Sequence, residues 1–240
     1  MISIGNFFFK YRNNLFIFLY LLLFLPSPRL FTEKVFGTGY YLIPLISGLF
    51  VTFSGEILRG MTIGLAYIIR GGKDKKVYAE KLVTEGLFSH CRNPLYVGNI
   101  LMLAGVGILS NSLFYVAVVI PLFLFIYQAI VLAEENFLRN KFGNEFEIYT
   151  QRVNRWMIDF RGLAATLNSM EFKYRRWLIK EYNTLFIWLL GIVALIGYKY
   201  EYLFENTDTR NNILGLAVLL LLAMYLTIRY FKKSGTWANT

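Results

Sequence analysis

Six long apolar runs constrain the fold of this chain more than any other feature of its sequence. An α-helix rises about 1.5 Å per residue, so roughly 20 apolar residues cross the hydrocarbon core of a bilayer. Backbone polar groups in lipid must be satisfied within the protein, which favours helices for such runs. The sequence therefore predicts an all-α, polytopic transmembrane protein of about six spans. The predicted spans are 15–25, 40–69, 94–109, 113–133, 184–198 and 213–230.

The first run resembles a signal peptide, because Lys10 and Arg12 precede a short apolar stretch. The stretch ends in Pro-Ser-Pro-Arg at residues 26–29, which lacks the small residues of a cleavage site. We therefore expect an uncleaved first span that extends upstream through the phenylalanines at 7–9.

Basic residues are distributed unevenly among the segments that connect the spans. The formal net charge is +10, from 25 Lys and Arg against 15 Asp and Glu. With the N-terminus inside, 19 of the basic residues fall in inside segments and 4 in outside segments, and Arg59 and Arg229 lie within predicted spans. By the positive-inside rule, both termini and the polar segments 70–92 and 134–183 are predicted to be cytoplasmic. The basic surplus then meets anionic lipid head groups, and nucleic acid is not expected as a partner.

Composition also limits the chemistry. The chain is 56% hydrophobic and 17% charged, against about 45–50% and 25% in soluble domains. Cys91 is the only cysteine and His90 the only histidine, so an internal disulfide is impossible and His-rich metal sites are excluded. We expect no metal in the site.

A two-residue polar turn, Asn111-Ser112, separates the third and fourth spans and forces them into an antiparallel hairpin. The end of the hairpin at residues 134–135 therefore returns to its beginning at residue 92. Beyond it, Gly143 is predicted to end one helix, and Asn144 to cap the next with Glu147 in the capping-box position.

The polar residues at the mouth of this hairpin suit a zwitterionic, partly cationic ligand. The carboxylates of Glu134 and Glu135 can accept hydrogen bonds from an ammonium or from ribose hydroxyls, and Arg92 can bind a carboxylate in a fork. Tyr96 adds an aromatic face with a hydroxyl, and Gly98 allows close backbone approach. The residues alone leave an alternative open, in which Arg92 anchors its helix to lipid phosphate and the two acids are solvated.

Two ionisable residues, Glu56 and Arg59, lie inside the second predicted span and share one helical face. Charges at membrane depth are costly and mark a partner, a cavity or a site. The sequence is equally consistent with an ion pair that closes the bundle and with a role in a pocket.

Four motifs in this order resemble the isoprenylcysteine carboxyl methyltransferase family, and are similar to the related phospholipid N-methyltransferases. The similarity covers roughly residues 78–155, and its specificity comes from the order and spacing of the motifs. They are the sequence Leu-Val-Thr-Glu-Gly-Leu-Phe at 82–88, Arg-Asn-Pro-Leu-Tyr-Val-Gly at 92–98, Glu134-Glu135-x-x-Leu138, and Phe142-Gly143-x-x-Phe146-x-x-Tyr149.

The resemblance implies an integral membrane methyltransferase that binds S-adenosylmethionine at the cytoplasmic end of its spans, under the segment that follows the double Glu. It also implies a lipophilic acceptor, a membrane lipid or lipidated substrate, that arrives from the bilayer. Tyr149 and Arg152 would belong to the covering segment, with the arginine near the acceptor. The residues expected to bind the cofactor are Arg92, Asn93, Tyr96, Gly98, Glu134 and Glu135.

The chain departs from the prenylcysteine enzymes, which usually have Arg-His-Pro where this sequence has Arg92-Asn93-Pro94. Asn cannot titrate, and the Asn-Pro form is common in bacterial and phospholipid-type relatives, so a prenylated protein substrate is less favoured. His90 is the one imidazole that could deprotonate an amine acceptor, although an interfacial position facing head groups is the simpler interpretation. We therefore expect a lipid phosphate or carboxylate oxygen as acceptor, with a lipid amine as the alternative.

Two other functional classes stay open at this stage. One is a membrane sterol-type reductase using NADPH, for which the lysines of segment 73–81 could bind the 2′-phosphate; the other is a non-catalytic channel or scaffold. For the domain organisation, the sequence predicts N-terminal spans over 1–70, a methyltransferase core over 71–160, an amphipathic linker over 161–183 and a C-terminal hairpin over 184–240.

Overall fold

The computed structural model describes residues 1–66 and 77–237, and this part of the chain is helical, without strands. Short 3₁₀ segments follow α1, precede α4 and follow α8, and a π-helical turn, Tyr115–Val119, precedes α5. The α-helices of the described residues are α1 Ile2–Leu21, α2 Glu33–Phe36, α3 Leu42–Leu65, α4 Pro94–Leu109, α5 Ile120–Phe142, α6 Asn144–Arg152, α7 Leu163–Ser169, α8 Tyr174–Lys199 and α9 Thr207–Lys233.

Five helical segments are long and apolar enough to cross a membrane, and the 16-residue α4 is a shorter apolar helix beside them. The predicted all-α membrane architecture of about six spans is therefore confirmed. The five long segments are Ile2–Phe24, Leu42–Leu65, Tyr115–Phe142, Tyr174–Lys199 and Thr207–Lys233.

Helices α3 and α4 form the closest pair because glycines on each meet the backbone of the other. A Cβ added at Gly55 would lie 2.6 Å from the carbonyl oxygen of Gly98, and one added at Gly98 would lie 2.8 Å from that of Gly55. Neither position has room for a side chain, so the two backbones come together as small residues allow in membrane helices.

Helix α1 packs along α5, and α8 packs against α9 and α3. Between α1 and α5, the ring of Phe16 lies 5.1 Å from that of Phe123 and 5.3 Å from that of Tyr127, centroid to centroid. These aromatic contacts fix one wall of the bundle core.

The connection between α4 and α5 is the predicted tight turn, with Asn111 in a left-handed conformation at φ 50°. The loop that follows α1 clamps this turn: Phe31 N donates to Asn111 Oδ1 at 2.7 Å, and Leu113 N donates to the Pro28 carbonyl at 2.9 Å. We call this the turn end of the bundle. The opposite end, where α4 begins at Pro94 and Glu135 lies, is called the site end.

The fifth span begins ten residues earlier than predicted, at Tyr174, because two charged residues of its first turns are buried. Arg176 donates from Nε to the carbonyl of Ile63 at 2.8 Å and from NH2 to that of Gly64 at 2.6 Å, so it satisfies orphan carbonyls at the end of α3. Glu181 is also fully buried. A charge count alone assigns these residues to a polar segment, whereas the fold gives them partners inside the bundle.

Two further expectations need correction. Gly143 ends α5 as predicted, at φ 53°, but it also occupies the N-cap of α6, and no side chain caps that helix. The expected capping box of Asn144 and Glu147 is therefore wrong, and Glu147 binds Arg139 on α5 instead. The second span is helical to Leu65, and the part predicted beyond residue 66 lies outside the described residues.

Candidate active site

A cavity of about 950 Å³ runs from the site end of the bundle into its interior. Its walls come from α1, α3, α4, α5, α6 and α8 together with the segment 77–83. Polar side chains cluster where α4 begins and the apolar part of α5 ends, and aromatic and aliphatic side chains line the deeper part. The cavity therefore has a polar limb at the site end and an apolar limb within the bundle.

Glu135 organises the polar limb. It is 5% exposed and accepts two hydrogen bonds from Arg155, from Nε at 3.0 Å and from NH2 at 2.7 Å. Arg92 NH1 lies 3.3 Å from the same carboxylate. Two guanidinium groups therefore offset the cost of burying this charge.

Arg92 retains an unused donor. Its Nε is buried and makes no hydrogen bond to any described residue, while the side chain lines the cavity. A buried donor without a partner costs free energy, so this group is suited to an acceptor brought by a ligand.

The neighbouring carboxylate, Glu134, has a different environment. It accepts a hydrogen bond from the hydroxyl of Tyr96 at 2.7 Å, and no arginine pairs with it in the described structure. Tyr96 in turn contacts the ring of Tyr127, with centroids 5.4 Å apart. Of these two adjacent acids, Glu135 is therefore bound by arginines and Glu134 by an uncharged tyrosine hydroxyl.

The segment after α6 is bound over the start of α4. Arg92 N donates to the carbonyl of Asn154 at 2.9 Å, and Asn93 Nδ2 donates to the carbonyl of Arg155 at 3.1 Å. Tyr149 on α6 adds a bond from its hydroxyl to the carbonyl of Phe88 at 2.7 Å, and burial raises the pKa of this phenol, so it stays a donor. These bonds cover one side of the polar limb.

Six of the nine residues predicted for the site line the cavity, and three do not. Those that line it are Arg92, Asn93, Tyr96, Glu134, Glu135 and Tyr149. Those that do not are His90, Gly98 and Arg152.

The three exceptions have physical reasons. The His90 ring is buried away from the cavity, with Nδ1 2.7 Å from the carbonyl oxygen of Asp159 and Nε2 2.8 Å from Thr166 Oγ1. Arg152 is exposed, because Phe146 and Tyr149 form the buried face of α6 and the helix ends at this residue. Gly98 contacts α3, as described above.

The sequence analysis missed several residues that line the cavity or bind its lining. Arg155 falls at the edge of the resemblance and carries no motif of its own. Arg12 was counted among the basic residues that flank the first span, yet it lines the cavity. Trp188, on α8, is likewise part of the wall although it lies in an ordinary apolar run.

Arg59 combines both roles that the sequence left open. It lines the cavity, and its NH2 donates to Glu181 of α8 at 2.9 Å and 2.7 Å. It also donates to Asn99 on α4, and its Nε lies 3.8 Å from Glu56. The buried pair therefore joins α3 to α8 at the cavity wall.

The lysines considered for a nicotinamide 2′-phosphate lie mainly outside the described residues, which resume at Val77. Lys81 is described and lines the cavity.

Comparison with known proteins finds that part of the chain is similar to membrane methyltransferases. The family model for phospholipid methyltransferases matches residues 45–145. A probable protein-S-isoprenylcysteine O-methyltransferase of Oryza sativa is 33% identical over 113 residues, which cover 45% of this chain and 57% of the rice protein. No solved structure matches this chain significantly.

Two bacterial relatives match shorter stretches. The cobalt-zinc-cadmium resistance protein CzcN of Cupriavidus metallidurans is 42% identical over 72 residues, 30% of this chain and 33% of that protein. An uncharacterized protein of Haemophilus influenzae is 40% identical over 58 residues, 24% of this chain and 90% of that protein. The chain thus spans about a third of the length of CzcN and somewhat more than half of the rice relative. The predicted resemblance is confirmed: residues 45–145 match the phospholipid methyltransferase family, and a probable isoprenylcysteine methyltransferase is among the relatives.

Proposed function

We propose that this protein is an S-adenosylmethionine-dependent methyltransferase of the membrane that acts on a lipophilic acceptor. The observation that carries the proposal is the single cavity with two unlike limbs. Arg92, Glu134 and Glu135 line its polar limb, Arg155 binds Glu135, and the apolar limb continues into the helix bundle.

The residues of the polar limb fit the methyl donor. Carboxylates suit an ammonium and ribose hydroxyls, and the free donor of Arg92 suits a carboxylate. When bound, S-adenosylmethionine supplies an electrophilic methyl group on a positively charged sulfur. Glu134 and Glu135 would hold the hydroxyls and the ammonium, and Arg92 and Asn93 would hold the carboxylate.

The chain's own contribution is then orientation and exclusion of water. The bonds from residues 92–93 to residues 154–155 hold the covering segment in place, and Tyr149 ties α6 to the same region. Aligning two reactants in a closed site can supply roughly 7–11 kcal/mol of a barrier. No acid–base residue is required if the acceptor is already an anion.

The apolar limb fits an acceptor that comes from the bilayer. Ile17 on α1 and Ile187 on α8 both line the cavity, yet they are 63% and 66% exposed. Side chains that line a cavity and are also exposed mark its opening, which here lies between two membrane helices. A hydrocarbon chain can therefore enter sideways while its head group reaches the polar limb.

Among candidate acceptors, an oxygen is favoured over an amine. The imidazole of His90, which could have taken a proton from an ammonium, bonds to Asp159 and Thr166 outside the cavity. A phosphate or carboxylate oxygen needs no such base. The positive-inside bias further supports a cytoplasmic position for the polar limb and both termini.

Calorimetric titration of the detergent-purified protein with S-adenosylhomocysteine tests the proposal. Glu135→Gln removes the charge at the centre of the polar limb, and Glu145→Gln removes an exposed charge of α6 as the matched control. We expect micromolar binding to the wild type and the control, and a loss of about a hundredfold in Glu135→Gln, as follows from removing a charged hydrogen-bond partner. Folded wild-type protein that binds NADPH, or that fails to bind S-adenosylhomocysteine, would overturn the proposal.

A further inference from the structure

We propose that Arg12 on α1 binds the anionic head group of the acceptor lipid and so selects a phosphate or carboxylate oxygen for methylation. This inference rests on the proposed function and adds to it the residue that recognises the acceptor. Arg12 lies outside the segment that matches the family, which begins at residue 45.

Arg12 faces the cavity because of its position on α1. Phe9, Asn13, Phe16 and Tyr20 also line the cavity, and this spacing of three and four residues defines one helical face. Arg12 therefore projects from a predicted span toward the junction of the two limbs, where its charge acts electrostatically on Glu134 and Tyr96.

Arg12 acts on Glu134 only at a distance, because no acidic side chain of the described residues pairs with it directly. Its guanidinium lies 4.6 Å from the centroid of the Phe9 ring and makes no hydrogen bond or ion pair there. The other arginines that line the cavity have acidic partners, because Arg59 binds Glu181 and Arg92 NH1 lies 3.3 Å from Glu135.

A cation at membrane depth is costly unless it faces a cavity and meets a partner. The position of Arg12 satisfies the first condition, and an anionic head group entering from the apolar limb satisfies the second. Its side chain is only partly exposed, so such an ion pair would be screened less than one at an open surface. The ring of Phe9 holds the guanidinium plane in place before the lipid arrives.

The chemistry that follows is balanced without a proton transfer. An oxygen anion of the acceptor attacks the methyl carbon, so an O–C bond forms while the C–S bond breaks. The sulfur keeps the electron pair and becomes a neutral thioether, and the acceptor loses one negative charge. Arg12 then holds the methyl ester, which carries one negative charge fewer, less tightly than the acceptor, and this favours product release.

Binding of simple amphiphiles to the purified full chain tests the assignment. Dodecyl phosphate and dodecylamine are titrated without cofactor into wild type, Arg12→Gln, Arg12→Lys and Lys10→Gln, with the heat of empty micelles subtracted. Lys10 is the matched control, because it is an exposed cation of the same helix that does not line the cavity. Titration with S-adenosylhomocysteine and thermal melting accompany each variant.

We expect dodecyl phosphate to bind the wild type and Lys10→Gln equally, to bind Arg12→Gln at least about tenfold more weakly, and to bind Arg12→Lys in between, as for a charged hydrogen bond. S-adenosylhomocysteine should bind all four proteins alike, and dodecylamine should bind more weakly than dodecyl phosphate.

Three results would overturn the inference. They are equal weakening by Lys10→Gln and Arg12→Gln, a loss of S-adenosylhomocysteine rather than dodecyl phosphate in Arg12→Gln, and wild-type binding of dodecylamine as tight as that of dodecyl phosphate. If Arg12→Gln does not fold, Arg12→Lys and the two amphiphiles on the wild type still decide the matter. Failure of wild-type S-adenosylhomocysteine binding refutes the proposed function separately.

Discussion

The family core and the helices that flank it contribute unlike halves of the cavity. Residues 45–145 supply Arg92, Tyr96 and the two adjacent acids of the polar limb. Helices α1 and α8 supply Ile17, Ile187 and most of the opening toward lipid. Under the proposed function, donor binding would belong to the matched core and acceptor selection to the flanking helices, which can vary without disturbing the core.

The largest expected effect is a loss of stability when the ion pair between Arg59 of the core and Glu181 of the flanking helix α8 is broken. Glu181→Ala would leave the buried guanidinium of Arg59 without its bidentate partner, and breaking a buried ion pair costs about 3–5 kcal/mol. The melting temperature in detergent should fall sharply. Replacing both residues by Met should recover much of the loss, and a double variant as unstable as Glu181→Ala would show that the pair is not the cause.

A smaller effect is expected from a substitution that impairs use of the lipid acceptor without changing the binding of the methyl donor. Ile17→Trp fills the opening of the apolar limb from an exposed position, so stability should change little while kcat/KM for a lipid acceptor falls about tenfold. Ile57→Trp is the control, because Ile57 is 61% exposed on α3 and does not line the cavity. S-adenosylhomocysteine affinity should be unaffected in both, and a drop in that affinity in Ile17→Trp would contradict the division between core and flank.

Within the core, Tyr96→Phe removes the 2.7 Å bond to Glu134 and leaves the ring in place. A hydrogen bond to a charged group contributes about 1.5–3 kcal/mol, part of which water can replace here. We expect S-adenosylhomocysteine affinity to fall roughly tenfold or less by calorimetry. Unchanged affinity would mean that Glu134 does not contact the ligand through this arrangement.

The last prediction concerns the chemical reactivity of Cys91, which is fully buried beneath the covering segment. Burial raises the pKa of its thiol, so the reactive thiolate fraction at pH 8 lies below that of a free cysteine and grows only at higher pH. Maleimide labelling of the native protein should be slow at pH 8 and fast after denaturation. Fast labelling in the native state would show that the covering segment opens readily.

The sequence predicted most of the membrane architecture and much of the polar limb, because both depend on local patterns. The third span, Pro94–Leu109, and the turn at Asn111 follow from apolar length and a short polar break. The resemblance identified Arg92 and Glu135, which the structure places within 3.3 Å of each other.

The features that the sequence did not predict depend on contacts between distant segments of the chain. The charges of Arg176 and Glu181 suggest that both side chains face solvent. Instead, Arg176 binds the carbonyl of Ile63, 113 residues away along the chain, and Glu181 binds Arg59, 122 residues away. The orientation of His90 depends on Asp159 and Thr166, which no local pattern connects to it. Arg12 looked like an ordinary interfacial cation, because its direction is visible only once α1 packs on α5.

The clamp between the loop after α1 and the turn at Asn111 has a consequence for how the chain assembles. Its hydrogen bonds join residues 80 positions apart, so the segment from residue 31 to residue 111 becomes a closed loop that contains α3 and α4. Closing a flexible loop of this length costs roughly 4 kcal/mol in entropy by the logarithmic rule. Helices α8 and α9 lie outside that loop, so they can join the bundle after it has closed, and the opening beside Ile187 is then the last part of the cavity to form.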